Sequence, residues 1–144
     1  MVSPNGRPLI TDTGLSQVIR AQEGIFPWSL PSESLRWQAP ETFAPELGDA
    51  YTASSDVWSL AMTILEVISG RVPYCLQSRI HLVAFDIIDG ILPQRPDNNT
   101  VSDSLWRILN MLWVRNPLGR PCAAFVQRQL DALRTDNVNF LYML

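Results

Sequence analysis

Residues 54–70, from Ser54-Ser55-Asp56-Val57-Trp58 to Ile68-Ser69-Gly70, constrain this chain more than any other stretch of it. The run has helix start signals. Ser54 or Ser55 can take a free backbone N–H, and Asp56 puts a negative charge in the first turn, where the helix dipole favours it. It also has a stop: Gly70 suits a left-handed cap, and Pro73 bars continuation. Between these ends, apolar side chains fall on every face of the helical wheel, the pattern of a helix buried in a core or a membrane. A membrane span needs about 20 predominantly apolar residues, and Glu66 and Arg71 interrupt this run. The sequence therefore predicts a buried central helix that requires neighbours on all sides.

The rest of the chain has material to supply them. Its 144 residues fit one domain, and 47% hydrophobic content suffices for a core. Ile80, Leu82, Val83, Phe85, Ile87 and Ile88 mark a short helix closed by Gly90. Pro93 and Pro96 hold residues 91–96 extended. Ser102 or Asp103 caps a helix with Leu105, Trp106, Ile108, Leu109, Leu112 and Trp113 on one stripe, ended by Asn116-Pro117. A last helix over residues 122–133 follows, with Pro121 at its favoured first position and Phe125, Val126, Leu130 and Leu133 on its buried face. The tail, residues 134–144, could equally dock or fray. On the N-terminal side, Pro4-Asn5-Gly6 predicts a hairpin turn with Val2 before it and residues 8–11 after it. Asp12-Thr13-Gly14 then ends a strand, a triplet that by itself is a common turn. Residues 17–36 lose all periodicity and contain Gly24, Pro27 and Pro31, so they read as a long loop of the kind that is usually functional or disordered. The fold class is mainly α, with a small β element and a long loop at its N-terminal side.

The totals also exclude functions. A net charge of −3 gives no electrostatic case for nucleic acid or an anionic membrane surface. Cys75 and Cys122 lack CxxC spacing, which predicts buried or free intracellular thiols rather than a disulfide or metal site. His81 has no metal-ligand neighbour at helical spacing and reads as a surface residue. Asn98-Asn99-Thr100 matches a glycosylation acceptor, but residues 1–6 lack the pattern of a signal peptide. Cytoplasmic placement, protein partners, no nucleic acid and no direct membrane insertion are the expectations.

Several short motifs, in order, carry a resemblance. Asp12-Thr13-Gly14, the loop, Ala39-Pro40-Glu41, Asp56-Val57-Trp58-Ser59-Leu60, Gly70-Arg71-Val72-Pro73-Tyr74 and Trp106…Trp113…Asn116-Pro117…Arg120-Pro121 resemble the second half of a eukaryotic protein kinase domain. The run Leu35-Arg36-Trp37-Gln38-Ala39-Pro40-Glu41 is most similar to the tyrosine-kinase-like group, whose members mostly phosphorylate serine or threonine. The resemblance covers nearly the whole chain. It implies residual strands and the Asp-Thr-Gly over residues 1–16, an activation segment over 17–41 and the helical C-lobe of the kinase-like fold over 42–144.

The resemblance also implies roles. Asp12 matches the aspartate that binds the Mg²⁺ bridging the ATP phosphates, a task suited to a hard oxygen ligand. Thr13 and Gly14 complete that motif. Ser29 and Ser32 are candidate phosphorylation positions in the activation loop. Ser34 matches the hydroxyl that contacts the catalytic aspartate in serine/threonine kinases. Leu35, Arg36, Trp37 and Gln38 would shape the shelf on which a substrate peptide lies. Glu41 and Arg120 match a buried ion pair tying the activation segment to the helical lobe. Asp56 matches the residue that holds the catalytic loop's backbone. Glu66 lies where some relatives read a basic substrate residue, or serves packing.

Other family parts do not occur in this sequence. It has no Gly-rich phosphate loop, no V-A-I-K lysine and no His-Arg-Asp loop. Those parts do most of the positioning and charge neutralisation in phosphoryl transfer. The chain as given is therefore expected to be a fragment of the domain, to hold neither ATP nor Mg²⁺ tightly and to transfer no phosphate. Thr13 replaces an aromatic residue, Glu33 stands where relatives in this group usually have glycine, and Ala61 where many have glycine. The alternative is a pseudokinase, an interaction module that keeps the fold without phosphotransfer, and Thr13 points that way.

Overall fold

The computed structural model describes residues 3–7, 9, 33–97 and 100–142. Asp12, Thr13, Gly14, Ser29 and Ser32 lie outside the described residues, as does most of the hairpin's strand sequence. The chain divides into two compact units, Met1–Leu30 and Pro31–Leu144. In the first, the Pro4-Asn5-Gly6 turn forms: the Gly6 N–H donates to the Ser3 carbonyl (2.9 Å) and the Ser3 N–H to the Arg7 carbonyl (2.8 Å).

The second unit is mainly α, with no strand among its described residues. Four helices follow one another: α1 (Ala53–Ser69), α2 (Ile80–Ile88), α3 (Asp103–Leu112) and α4 (Ala123–Tyr142). Tight 3-10 turns at Glu33–Trp37, Pro40–Thr42, Pro45–Leu47 and Pro117–Gly119 link and flank them.

α1 starts earlier than its serines suggest. Thr52 is the N-cap: its hydroxyl accepts the Ser55 N–H (3.3 Å), and the Ser55 hydroxyl accepts the Thr52 N–H (2.7 Å). This is a capping box in which serine takes the place usually held by Glu or Gln. The helix stops at Gly70, whose φ of 68° belongs to the left-handed region and whose N–H donates to the Glu66 carbonyl.

The larger correction concerns burial. Val57, Trp58, Ala61, Met62 and Leu65 are buried, but Asp56, Leu60, Thr63 and Val67 form an exposed stripe along the opposite side. The helix is not covered all round. Its neighbours among the described residues are α3, the Glu33–Trp37 turn and the Pro117–Gly119 turn. Residues at intervals of three and four share a helix face, so the stripe from Asp56 to Val67 stays open while the face centred on Trp58 and Met62 closes.

α2 packs against the Glu33–Trp37 and Pro40–Thr42 turns, and α3 against α1 and α4. Ser102 caps α3 by accepting the Leu105 N–H (3.2 Å). Residues 91–96 are extended, and Arg95 pins them to α3 through the Val101 carbonyl (2.7 Å) and the Asp103 carboxylate (2.7 Å). The same guanidinium lies 6.0 Å from the Trp106 ring, which meets Trp113 edge-on at 5.6 Å. α3 ends at Leu112, and Asn116 instead caps the Pro117–Gly119 turn through the Leu118 N–H. α4 starts at Ala123 and continues well past Leu133 to Tyr142, because no Gly or Pro interrupts residues 134–142.

The two faces of α1 separate in a stability measurement. Met62→Ala, at a fully buried position, lowers unfolding free energy by about 2–5 kcal/mol through lost contacts and a residual cavity. Val67→Lys, at a position 76% exposed, changes it by no more than about 0.5 kcal/mol. Urea unfolding of the two variants checks both values.

Candidate functional site

Several of the candidate residues, Ser34 to Gln38 and Glu41, gather where the Glu33–Trp37 and Pro40–Thr42 turns meet α1 and the loop after it. Each of these turns is short and makes few hydrogen bonds of its own. The side chains supply the rest. Leu35 is buried in the core. Arg36 reaches across to residues 73–77, where Nη1 donates to the Pro73 and Tyr74 carbonyls (3.0 and 2.8 Å) and Nη2 to the Gln77 carbonyl (2.9 Å). Trp37 Nε1 donates to the Glu66 carboxylate (3.1 Å), and the Trp37 carbonyl accepts the Ser59 hydroxyl (2.8 Å). Residues 35–37 are thus fastened to both ends of α1. Gln38 is half-buried beside the Thr42 hydroxyl, and Ser34 is exposed at the rim.

Glu41 and Arg120 come together beneath this surface. Arg120 Nη1 and Nη2 donate to the two Glu41 carboxylate oxygens at 2.6 and 2.8 Å, and both side chains are fully buried. The fork-on-fork geometry is the strong form of this contact. Arg120 also donates from Nε to the Val114 carbonyl (2.8 Å), from Nη1 to the Ser54 carbonyl (2.9 Å) and from Nη2 to the Arg115 carbonyl (3.3 Å). Its five donors all have acceptors. The Trp58 ring lies 5.0 Å from the guanidinium carbon and closes the remaining face.

Asp56 stands apart from this cluster. It is exposed in the first turn of α1, and its carboxylate has no partner among the described residues. Sequence reasoning named Ser59 and Tyr74 only as members of motifs, without a role of their own, and passed over Gln77. A serine in the middle of an apolar helix was the available signal for Ser59. Nothing marked Gln77, which acts through its carbonyl. Tyr74 holds a left-handed φ of 54° and donates its phenol to the Ile91 carbonyl (2.9 Å). Burial, with the Asp86 carboxylate adding to it, pushes that phenol well above the ordinary tyrosine range.

The protein tyrosine and serine/threonine kinase family matches residues 1–130 of this chain. The chain belongs to that family. It is 33% identical over 138 residues to mitogen-activated protein kinase kinase kinase 9 of Arabidopsis thaliana, covering 92% of this chain and 17% of that protein. It is 33% identical over 139 residues to mitogen-activated protein kinase kinase kinase 1 of the same plant, covering 92% of this chain and 22% of that protein. The human proto-oncogene tyrosine-protein kinase ROS is 31% identical over 121 residues, 83% of this chain and 5% of that protein. The chain therefore spans about a fifth or less of the length of these kinases. Its mainly helical architecture is that of a kinase C-lobe portion.

The kinase family uses ATP and Mg²⁺. Among the described residues no three His, Cys, Asp or Glu side chains are placed to hold a metal ion, and Asp12 lies outside them. No helix among them is long and apolar enough to cross a membrane.

Two outcomes follow from this geometry. Glu41→Gln leaves the Arg120 guanidinium buried against a neutral amide and lowers stability by about 3–5 kcal/mol, whereas Glu41→Leu with Arg120→Met costs markedly less. Denaturant unfolding of the single and double variants measures the difference. Tyr74 supplies a pH dependence whose sign is fixed: the folded state keeps the phenol proton after the unfolded state has lost it. Stability from this group is complete below about pH 10 and falls as pH rises above it. Tyr74→Phe flattens that alkaline slope in melting scans between neutral and strongly alkaline pH.

Proposed function

We propose that this chain is the substrate-shelf and helical-lobe portion of a protein kinase domain, from a family that transfers the ATP γ-phosphate to protein serine, threonine or tyrosine in signalling. The buried Glu41–Arg120 pair carries the reading. It fixes residues 40–42 to the helical body and so supports the surface of residues 35–38, held in turn by the Arg36 and Trp37 contacts. In this proposal residues 1–16 carry the metal-binding Asp12, residues 17–41 form the activation segment with Ser29 and Ser32 as modification positions, and residues 42–144 form the lobe. Ser34 at the exposed rim faces the catalytic centre, and Asp56 holds a catalytic loop that this sequence does not contain. The chain acts in the cytoplasm on protein partners, and alone it transfers no phosphate. The tyrosine-kinase-like motif around Trp37 and the two plant relatives favour serine or threonine as acceptor.

A second reading, an interaction lobe without phosphotransfer, is favoured by Thr13 in place of an aromatic residue. Two measurements decide. The 144-residue chain shows no thermal shift with Mg²⁺-ATP, and a clear shift refutes the inactive-alone reading. Residues 33–130, exchanged into the matching position of an active relative that keeps its own nucleotide lobe and Asp-Phe-Gly, preserve phosphorylation of serine or threonine peptides. A folded chimera without activity refutes the shelf proposal and leaves the interaction lobe.

A further inference from the structure

A cavity of about 300 Å³ opens between the C-terminal end of α1, the loop of residues 71–77 and the extended residues 91–97. That volume is at the small end of ligand pockets. Leu65, Pro73, Leu92 and Pro93 give it apolar walls, with Pro73 and Pro93 themselves buried. Tyr74 is also part of the lining, its phenol already committed to the Ile91 carbonyl. The loop is built rather than slack. Arg36 holds three of its carbonyls, the Gln77 N–H donates to the Tyr74 carbonyl (2.9 Å), and these bonds maintain Tyr74 in a left-handed conformation that a non-glycine residue rarely adopts.

The charges on the wall are unequal in depth. Arg95 is neutralised by Asp103 and the Val101 carbonyl. Arg71 and Asp97 are exposed at the rim, where water screens them. Asp86 is different: it lies on α2, half-buried, with no partner for its carboxylate among the described residues, and its field reaches the Tyr74 phenol. A half-buried carboxylate beside Leu65, Pro73, Leu92 and Pro93 offers a pairing partner to a cation carried on an apolar stem.

We propose that this cavity is a binding site for a small organic cation with an apolar body, an aralkylammonium or alkylguanidinium, whose charge pairs with Asp86. The site is separate from the shelf reading and stands or falls without it. Both free amines and the Lys or Arg side chain of a partner peptide present this chemistry.

Cys75, an exposed free thiol on the cavity wall, makes the test direct, and Cys122, exposed and outside the lining, is its internal control. The chain is equilibrated at fixed reductant with three mixed-disulfide probes of equal length ending in ammonium, hydroxyl or carboxylate. Occupancy of each thiol is read by peptide mass spectrometry. The ammonium probe is retained at Cys75 roughly fivefold over the hydroxyl probe, with the carboxylate lowest. Asp86→Asn removes that preference, and Cys122 shows less than half of it. Should the variant fold poorly, half-molar salt applied to the unaltered chain erases the preference at Cys75 instead. Equal retention of the three probes, an equal preference at Cys122, or a preference that survives both Asp86→Asn and salt overturns the proposal. Unlinked phenethylammonium and a short Arg-containing peptide, each competing against the ammonium probe, distinguish the two sources, and failure of both to compete also overturns it.

Discussion

Arg120 is the point on which this lobe closes. Its guanidinium joins Glu41 on the Pro40–Thr42 turn, the Ser54 carbonyl in the first turn of α1 and the Val114 and Arg115 carbonyls after α3. Three parts of the chain that would otherwise touch only through side-chain packing are held at one charged group. A buried ion pair is weak evidence for stability in itself, since desolvation offsets most of the attraction. Its value here is geometric. The five donors point in fixed directions, so only one arrangement of the three parts satisfies them all.

That arrangement has a second layer at the surface. With Glu41 fixed below, residues 35–37 are tied to α1 by Trp37 and Ser59 and to the following loop by Arg36. Their polar groups are used in holding the turn. Such a surface offers shape and edges rather than reactive groups, which accords with a family in which positioning contributes much of the catalysis. Glu66 spends at least one carboxylate oxygen on the Trp37 indole.

Local chemistry made much of this legible in the sequence. Helix ends marked by Gly70 and Ser102 were readable because a cap is a property of a few adjacent residues. The extended run over residues 91–96 was readable because proline forbids the alternative. The open stripe of α1 was not, because composition shows which faces are apolar and not which of them find a neighbour. The Thr52 cap was missed because serine substituted for the usual Glu or Gln of a capping box. The far end of α4 was missed because its weak apolar pattern past Leu133 said nothing about a backbone that simply had no reason to stop. Glu41 and Arg120 could be paired only by resemblance, since nothing in a one-dimensional pattern joins residues so far apart. The Arg36 contacts lay beyond reach altogether, as their acceptors are backbone carbonyls with no side-chain signature.

That separation has a consequence in time. Glu41 and Arg120 are 79 positions apart, and closing a flexible loop of that length costs about 4 kcal/mol in chain entropy. That cost makes the contact a poor nucleus for folding, and docking of α1 against α3 shortens the path to it. On a ribosome adding about 5–20 residues per second, Glu41 waits roughly 4–16 s before its partner is even made. Through that interval the Pro40–Thr42 turn has no latch, and in the order of synthesis Arg120 follows α1, α2 and α3 and precedes only α4.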